Sequence, residues 1–200
     1  MNKKFLAMLA VAAVGVSVAG ATPQTTFNQG SVALDVNASK VKVDAKTDNA
    51  KSKWNMGVGL TYGLNDKNAV QYEYQKLNAK NSNNRMHEVN FIHSFGENFA
   101  AYAGYANIGG DVFKANGGKK NNNIGQIGVI AQKDLTNKFG VYGKGALGTK
   151  HTSSWEAGVG YHVSSNLDIN AGYKSINTKL GDHGSTTFKG FTAGLSYKFQ

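Results

Sequence analysis

The chain contains no cysteine. Disulfides are excluded, and so is a lipid anchor carried on a thiol. One proline is present in 200 residues, Pro23. Everything after it lacks the residue that withholds a donor from a hydrogen-bonded ladder. Small secreted soluble domains commonly depend on disulfides, so this composition sits poorly with that class. Acids are scarce, with 12 Asp and Glu against 22 Lys and Arg, for a formal charge of +10. Past the first 21 residues, no apolar run approaches the ~20 residues of a transmembrane helix.

What is present begins with the N-terminus. Lys3 and Lys4 precede an uncharged apolar run over residues 5–18, and Ala19-Gly20-Ala21 has the small-x-small form of a cleavage site. This reads as a secretory signal peptide, because the run is short for a bilayer span. The expected organisation is a signal peptide over residues 1–21 and one domain over residues 22–200, starting at Thr22.

The rest of the chain reads in period two. Phe191, Ala193, Leu195, Tyr197 and Phe199 share one face, and Thr192, Gly194, Ser196 and Lys198 the other. Trp54, Met56, Val58, Leu60 and Tyr62 repeat the pattern, as do Val70, Tyr72 and Tyr74, and Trp155, Ala157, Val159 and Tyr161. Ten such segments are expected, over residues 31–43, 53–64, 69–77, 85–95, 99–108, 123–132, 139–148, 153–163, 167–177 and 186–199. A count of eight would require two of them to be loops. The first loses its phase between Val36 and Val41, which predicts a β-bulge near Ser39 and Lys40. The segments at 99–108 and 139–148 have no unambiguous lipid face.

The polar faces are rich in Gly, Ser, Thr and Asn rather than long charged chains. That suits a confined lumen better than the water-facing side of a soluble sandwich. Aromatics stand at segment ends (Trp54, Phe95, Phe99, Phe139, Trp155 and Phe199), as in interfacial girdles. Tight connections near residues 65–68, 96–98, 134–138 and 164–166 alternate with generally longer ones. The predicted fold class is all-β: a transmembrane antiparallel up-and-down β-barrel with both termini in the periplasm.

A strand that closes on an aromatic resembles the assembly signal of outer-membrane barrels, with Gln200 following Phe199 as a small departure. The signal peptide, short turns and Gly-aromatic strands together resemble the small outer-membrane β-barrel family of OmpA transmembrane domains, OmpX-like proteins and opacity proteins. The resemblance covers all of residues 22–200 and specifies architecture rather than activity. It implies the cell outer membrane, and the barrel-assembly machinery as a partner through the strand from Phe191 to Phe199. The barrel is expected to be the final domain, without a periplasmic peptidoglycan-binding domain. Family members include narrow pores, adhesins and membrane enzymes.

Charge distribution narrows the partners. The longer connections and their flanks hold eleven basic residues against four acidic ones, a surplus of seven, whereas the tight turns are slightly acidic. The outer rim is therefore expected to be cationic and to meet outer-membrane lipid and lipopolysaccharide phosphates, through Lys46, Lys51, Lys80, Arg85, Lys119 and Lys120. Nucleic acid is not an expected partner of an exported chain without a recognition motif, and a monomer is expected.

Ionisable residues on predicted inward positions are Asp35, Glu73, Glu88, Lys144, Glu156, Asp168, Lys174 and Lys198. They form either a salt-bridged plug or a polar constriction, and closure sets the first strand beside the last, where Asp35 and Lys198 could face each other. Inward glycines leave space, favouring porin-like passage of small polar solutes. A surface adhesin acting through the cationic loops is the alternative. A lipid-modifying enzyme is a weaker third, resting on His162-Val163-Ser164, where no acid is obviously placed to orient His162 and Ser164 begins a periplasmic turn. No enzyme, cofactor or metal site is expected: His87, His93, His151 and His183 lack ligand spacing, and Gly104, Gly109 and Gly110 precede no helix that would make a phosphate loop.

Overall fold

The computed structural model describes residues 23–45, 48–115, 121–179 and 184–199. The expected signal peptide and Gln200 lie outside these residues. Ten strands follow in order: β1 (Val32–Ala45), β2 (Asp48–Gly63), β3 (Asn68–Lys76), β4 (Asn84–Gly96), β5 (Phe99–Gly110), β6 (Asn121–Asp134), β7 (Phe139–Gly148), β8 (Thr152–His162), β9 (Leu167–Lys179) and β10 (Ser185–Phe199). A five-residue helix, α1 (Asp111–Ala115), lies between β5 and β6. Each strand pairs antiparallel with its neighbours. β1 also pairs with β10, from Val32↔Phe199 to Ala45↔Thr186, so the sheet is a closed barrel without edges. Closure satisfies the backbone internally, which a bilayer demands of any spanning sheet.

The outer wall is apolar in a way water would not permit. Trp54 is 65% exposed and Phe191 69%, within a contiguous belt that includes Val58, Leu60, Phe91, Ile127 and Val159. Two aromatic girdles bound this belt. Towards the tight turns lie Phe95 beside Phe99, Phe139 beside Tyr161 and Tyr197 beside Phe199. Towards the other end Tyr173 bridges Trp155 and Phe191. Outer-membrane barrels carry their short turns on the periplasmic side, and the two ends are named by that rule.

β1 corrects one expectation. Its pairing with β10 runs unbroken through Ser39 and Lys40, and the only register shift is against β2, between Val41 and Val43, where β2 holds the extra residue. The apolar phase changes because the environment changes. Val32, Leu34 and Val36 point out into lipid, whereas Val41 and Val43 point inward and are fully buried. The ambiguous strands resolve similarly. Phe99, Ala101, Ala103 and Tyr105 face out on β5 and Tyr102 faces in; Val141 and Leu147 face out on β7 and Tyr142 faces in. The connection expected between the segments at 31–43 and 53–64 is also largely strand, since β1 runs on to Ala45 and β2 begins at Asp48.

Three layers fill the interior. At the outer mouth, Val41, Val43, Leu77, Met86, Ile108, Phe113, Ile124, Ile176 and Phe188 form one buried apolar cluster, with Phe113 dipping in from α1. At the periplasmic end, Phe27 packs with Ala69, Ile92, Ala100, Tyr102, Ile130 and Ala146. Phe27 belongs to the segment before β1, which folds into the mouth: Pro23 and Thr25 are buried there, and the Thr25 hydroxyl donates to the Glu97 carbonyl. The folded part thus includes the single proline. Between these apolar layers lies a charged one.

Candidate functional site

The register of five strands builds the middle layer. Glu73 of β3 stands opposite Glu88 of β4, and Lys144, Glu156 and Lys174 stand side by side on β7, β8 and β9. Inward alternation turns both rows to the lumen, where they meet. The Lys144 ammonium donates to both Glu73 carboxylate oxygens at 3.2 Å, across the barrel, and sits 5.2 Å from the centre of the Tyr102 ring. Glu88 accepts from the Gln126 amide at 2.7 Å, Glu156 from the Tyr142 hydroxyl at 3.0 Å, and Lys174 donates to the Gln75 carbonyl oxygen. A cavity of about 30 Å³ remains among Glu73, Glu88, Lys144, Glu156 and Lys174. It has room for about one or two waters.

The remaining inward charges lie towards the periplasm. Asp35 is buried and accepts from the Ser196 hydroxyl at 2.7 Å. Lys198 is not its partner: the register sets Lys198 opposite Ala33, and its ammonium lies 3.0 Å from Asp168. Asp168 also lies 2.7 Å from His162 Nδ1, while His162 Nε2 lies 3.1 Å from Asp134. Acids do therefore flank His162, contrary to expectation, because the barrel brings β9 and the end of β6 to it. Both ring nitrogens are occupied by carboxylates, so neither is free to activate a hydroxyl. Ser164 accepts from the Asn166 backbone N–H at its turn.

At three inward glycines the space is already taken by tyrosines. A Cβ at Gly128 would collide with the Tyr102 ring, and one at Gly158 or Gly172 with the Tyr142 hydroxyl at 2.6 and 2.8 Å. Each tyrosine lies in the space its facing glycine leaves. Period two places Gln75 and Gln126 inward, but an uncharged amide gives no further signal in the sequence. Tyr102 and Tyr142 are hidden there because aromatics occur on both faces of such strands.

At the outer rim, Lys51, Lys80 and Arg85 are exposed, whereas Lys46, Lys119 and Lys120 lie outside the described residues. Lys80 donates its backbone N–H to the Lys51 carbonyl at 3.0 Å, tying β2 to the β3–β4 connection. Asp111 accepts from the Asn83 backbone N–H at 2.9 Å and lies 3.4 Å from Lys114. The Asn83 bond, with help from Lys114, holds its carboxyl below the ordinary range. Among the described residues, no three His, Asp or Glu side chains converge as a metal site.

Comparison with known proteins agrees with this architecture. The sequence profile described as outer membrane protein beta-barrel domain matches residues 6–199. No curated protein sequence matches the chain. The solved structure of the outer membrane protease OmpT from Escherichia coli is similar at 10% identity and a TM-score of 0.54, over 84% of this chain and 97% of that one. At that identity the likeness shows the fold alone. Neisserial surface protein A aligns at 16% identity, a TM-score of 0.44, and 86% and 100% of the two chains. The N-terminal barrel of Pseudomonas aeruginosa OprF aligns at 13%, 0.40, and 86% and 100%.

Proposed function

The chain belongs to the outer membrane protein β-barrel domain family, and from that premise we propose that it is a closed, non-conducting barrel of the outer membrane that acts through its outward surfaces. The observation that carries the reading is the filled interior, with an apolar cluster at the outer mouth, the Phe27 cluster beside the Asp35, Asp168 and Lys198 charges at the periplasmic end, and the Lys144–Glu73 ionic layer between them. An open pore keeps a hydrated path, and ten strands enclose little more than their own side chains need. The porin-like reading loses its main support once the glycine spaces are occupied by Tyr102 and Tyr142. Planar-bilayer recording on the purified full-length barrel tests this. A silent membrane with folded protein verified by its heat-dependent gel mobility is expected. Discrete, reproducible conductance steps would overturn it.

A surface role in binding polyanions, including lipopolysaccharide, is supported by the cationic rim. It is supported further by two rim cations, Lys76 and Arg85, that have no acidic partner among the described residues. An enzymatic role has little to recommend it, given the doubly occupied His162.

A further inference from the structure

The outer ends of β3–β6 carry a feature that neither folding nor a closed lumen requires. Lys76 of β3 stands directly opposite Arg85 of β4, both on the outward face. Like charges so placed repel and destabilise a ladder. The row continues through Gly109 of β5 to Asn121 of β6. Gly109 contributes no side chain, so a cleft of about 460 Å³ opens above it, bordered by Tyr74, Lys76, Arg85, Lys114 and Asn121. The one carboxylate among the described residues at its edge, Asp111, is already engaged by Asn83 and Lys114. The basic cluster on β1 and β10 is different: there Asp44 holds Lys42 at 2.8 Å and Lys189 at 2.6 Å.

Descending the same strands towards the membrane, the chemistry changes in order. The next outward row is Tyr74, His87, Asn107 and Asn123, and below it come Tyr72, Val89, Tyr105 and Gly125. Below that, an apolar groove of about 830 Å³ runs over β4–β8, walled by Phe91, Ile127, Leu147 and Trp155 with small Ala101 and Gly145 in its floor. Its volume falls in the range of ~300–1,000 Å³ typical of small-molecule sites. Two cations without an acidic partner among the described residues, Lys76 and Arg85, therefore lie at the outer end of the wall, with a row of amides beneath them and the apolar trough two rows below.

We propose that this face holds one phosphorylated glycolipid of the outer leaflet. Its phosphate-bearing sugar lies between Lys76, Arg85 and Lys114, and an acyl chain lies in the groove beneath. A phosphate monoester accepts from Arg and Lys in charge-assisted bonds and relieves the Lys76–Arg85 repulsion. The apolar trough selects an amphiphile over a free anion. This rests on the surface-acting reading above and narrows it to one wall, but it does not depend on whether the lumen conducts.

The test is retention of bisphosphorylated lipid A by the full-length barrel in phosphocholine micelles, counted by native mass spectrometry and titrated by amide NMR. One bound molecule is expected, with shifts at Ala103 and Gly109. K76E/R85E should weaken retention by about tenfold or more for each cation reversed. A103F, which fills the groove, should weaken it with both cations intact. K67E/K138E, the same charge reversal at the periplasmic end, should change nothing, and gel mobility controls for folding in every variant. Equal retention by K76E/R85E and the parent would overturn the site. Indifference to A103F, with a water-soluble sulfated oligosaccharide bound as tightly as lipid A, would replace the lipid with a soluble polyanion. Equal retention of dephosphorylated lipid A would remove the phosphate from the recognition.

Discussion

Replacing Lys144 with Met tests the middle layer directly. The substitution roughly keeps the length and apolar stem of the side chain but removes the cation from Glu73. In the native barrel Glu73 receives both ammonium contacts at 3.2 Å, and the Glu73 and Lys144 side chains are only 13% and 14% exposed. Glu88, directly opposite Glu73, would then stand against it with one cation fewer in the layer, Lys174 alone remaining. Removing one partner of a buried pair costs about 3–5 kcal/mol. Because the pair keeps some exposure, the lower end applies: about 3 kcal/mol, or roughly a hundredfold in the unfolding equilibrium. The assay is urea unfolding of the barrel in lipid vesicles, followed by the fluorescence of Trp54 and Trp155, which face outward and leave their lipid environment on unfolding. The double variant Lys144→Met with Glu73→Gln should recover most of that stability, since it leaves no orphaned charge. A single variant within about 1 kcal/mol of the parent, or a double variant as unstable as the two singles added together, would show that the pair is not a structural tie.

Three further outcomes follow from the geometry. Phe113→Ala should lower stability by about 3–5 kcal/mol in the same unfolding assay, because Phe113 is 2% exposed in the outer apolar layer, yet produce no conductance in a planar bilayer, because the ionic and periplasmic layers remain. Gly158→Ala should cost about 1–3 kcal/mol, since its Cβ would meet the Ala171 carbonyl and the Tyr142 hydroxyl, whereas Gly143→Ala, with its nearest neighbour 3.9 Å away, should be close to neutral; Tyr142→Phe should not rescue Gly158→Ala, because the carbonyl clash stays. Asp111, whose carboxyl is held below its ordinary range chiefly by the Asn83 N–H, lends stability above the unfolded-state value and loses it as pH falls through the lower folded-state value. Hydrogen exchange at the Asn83 amide should therefore become less protected in that acid window, and an Asp111→Asn variant should lack the transition.

The lumen-facing charges are legible in the sequence because alternation is a local property. Glu73, Glu156 and Lys174 sit on the polar side of runs whose other side is plainly apolar, and a closed sheet has only two faces. Their partners are not legible. Lys144 meets Glu73 from a strand 71 positions away, and nothing in period two sets the height at which opposite walls meet. The mistaken pairing of Asp35 with Lys198 has the same origin: adjacency of β1 and β10 is foreseeable, but a two-residue offset in register gives Asp35 to Ser196 and Lys198 to Asp168. The bulge expected at Ser39 and Lys40 assumes one apolar face along the whole strand. β1 passes from lipid to headgroup, and its apolar side passes from outside to inside.

By itself, then, the sequence determined the class: strands of about a dozen residues, alternating, without proline, and even in number. These follow from backbone hydrogen bonding and from a lipid exterior, which act on each strand separately. Only the tertiary structure decided that the barrel is filled, since the Phe27 segment, Phe113, the Tyr102 and Tyr142 rings and the Lys144–Glu73 tie come from distant parts of the chain. Only it placed Lys76 and Arg85 side by side above an apolar trough. Register and closure fix such juxtapositions, and both are set by the sum of many pairings rather than by any one segment.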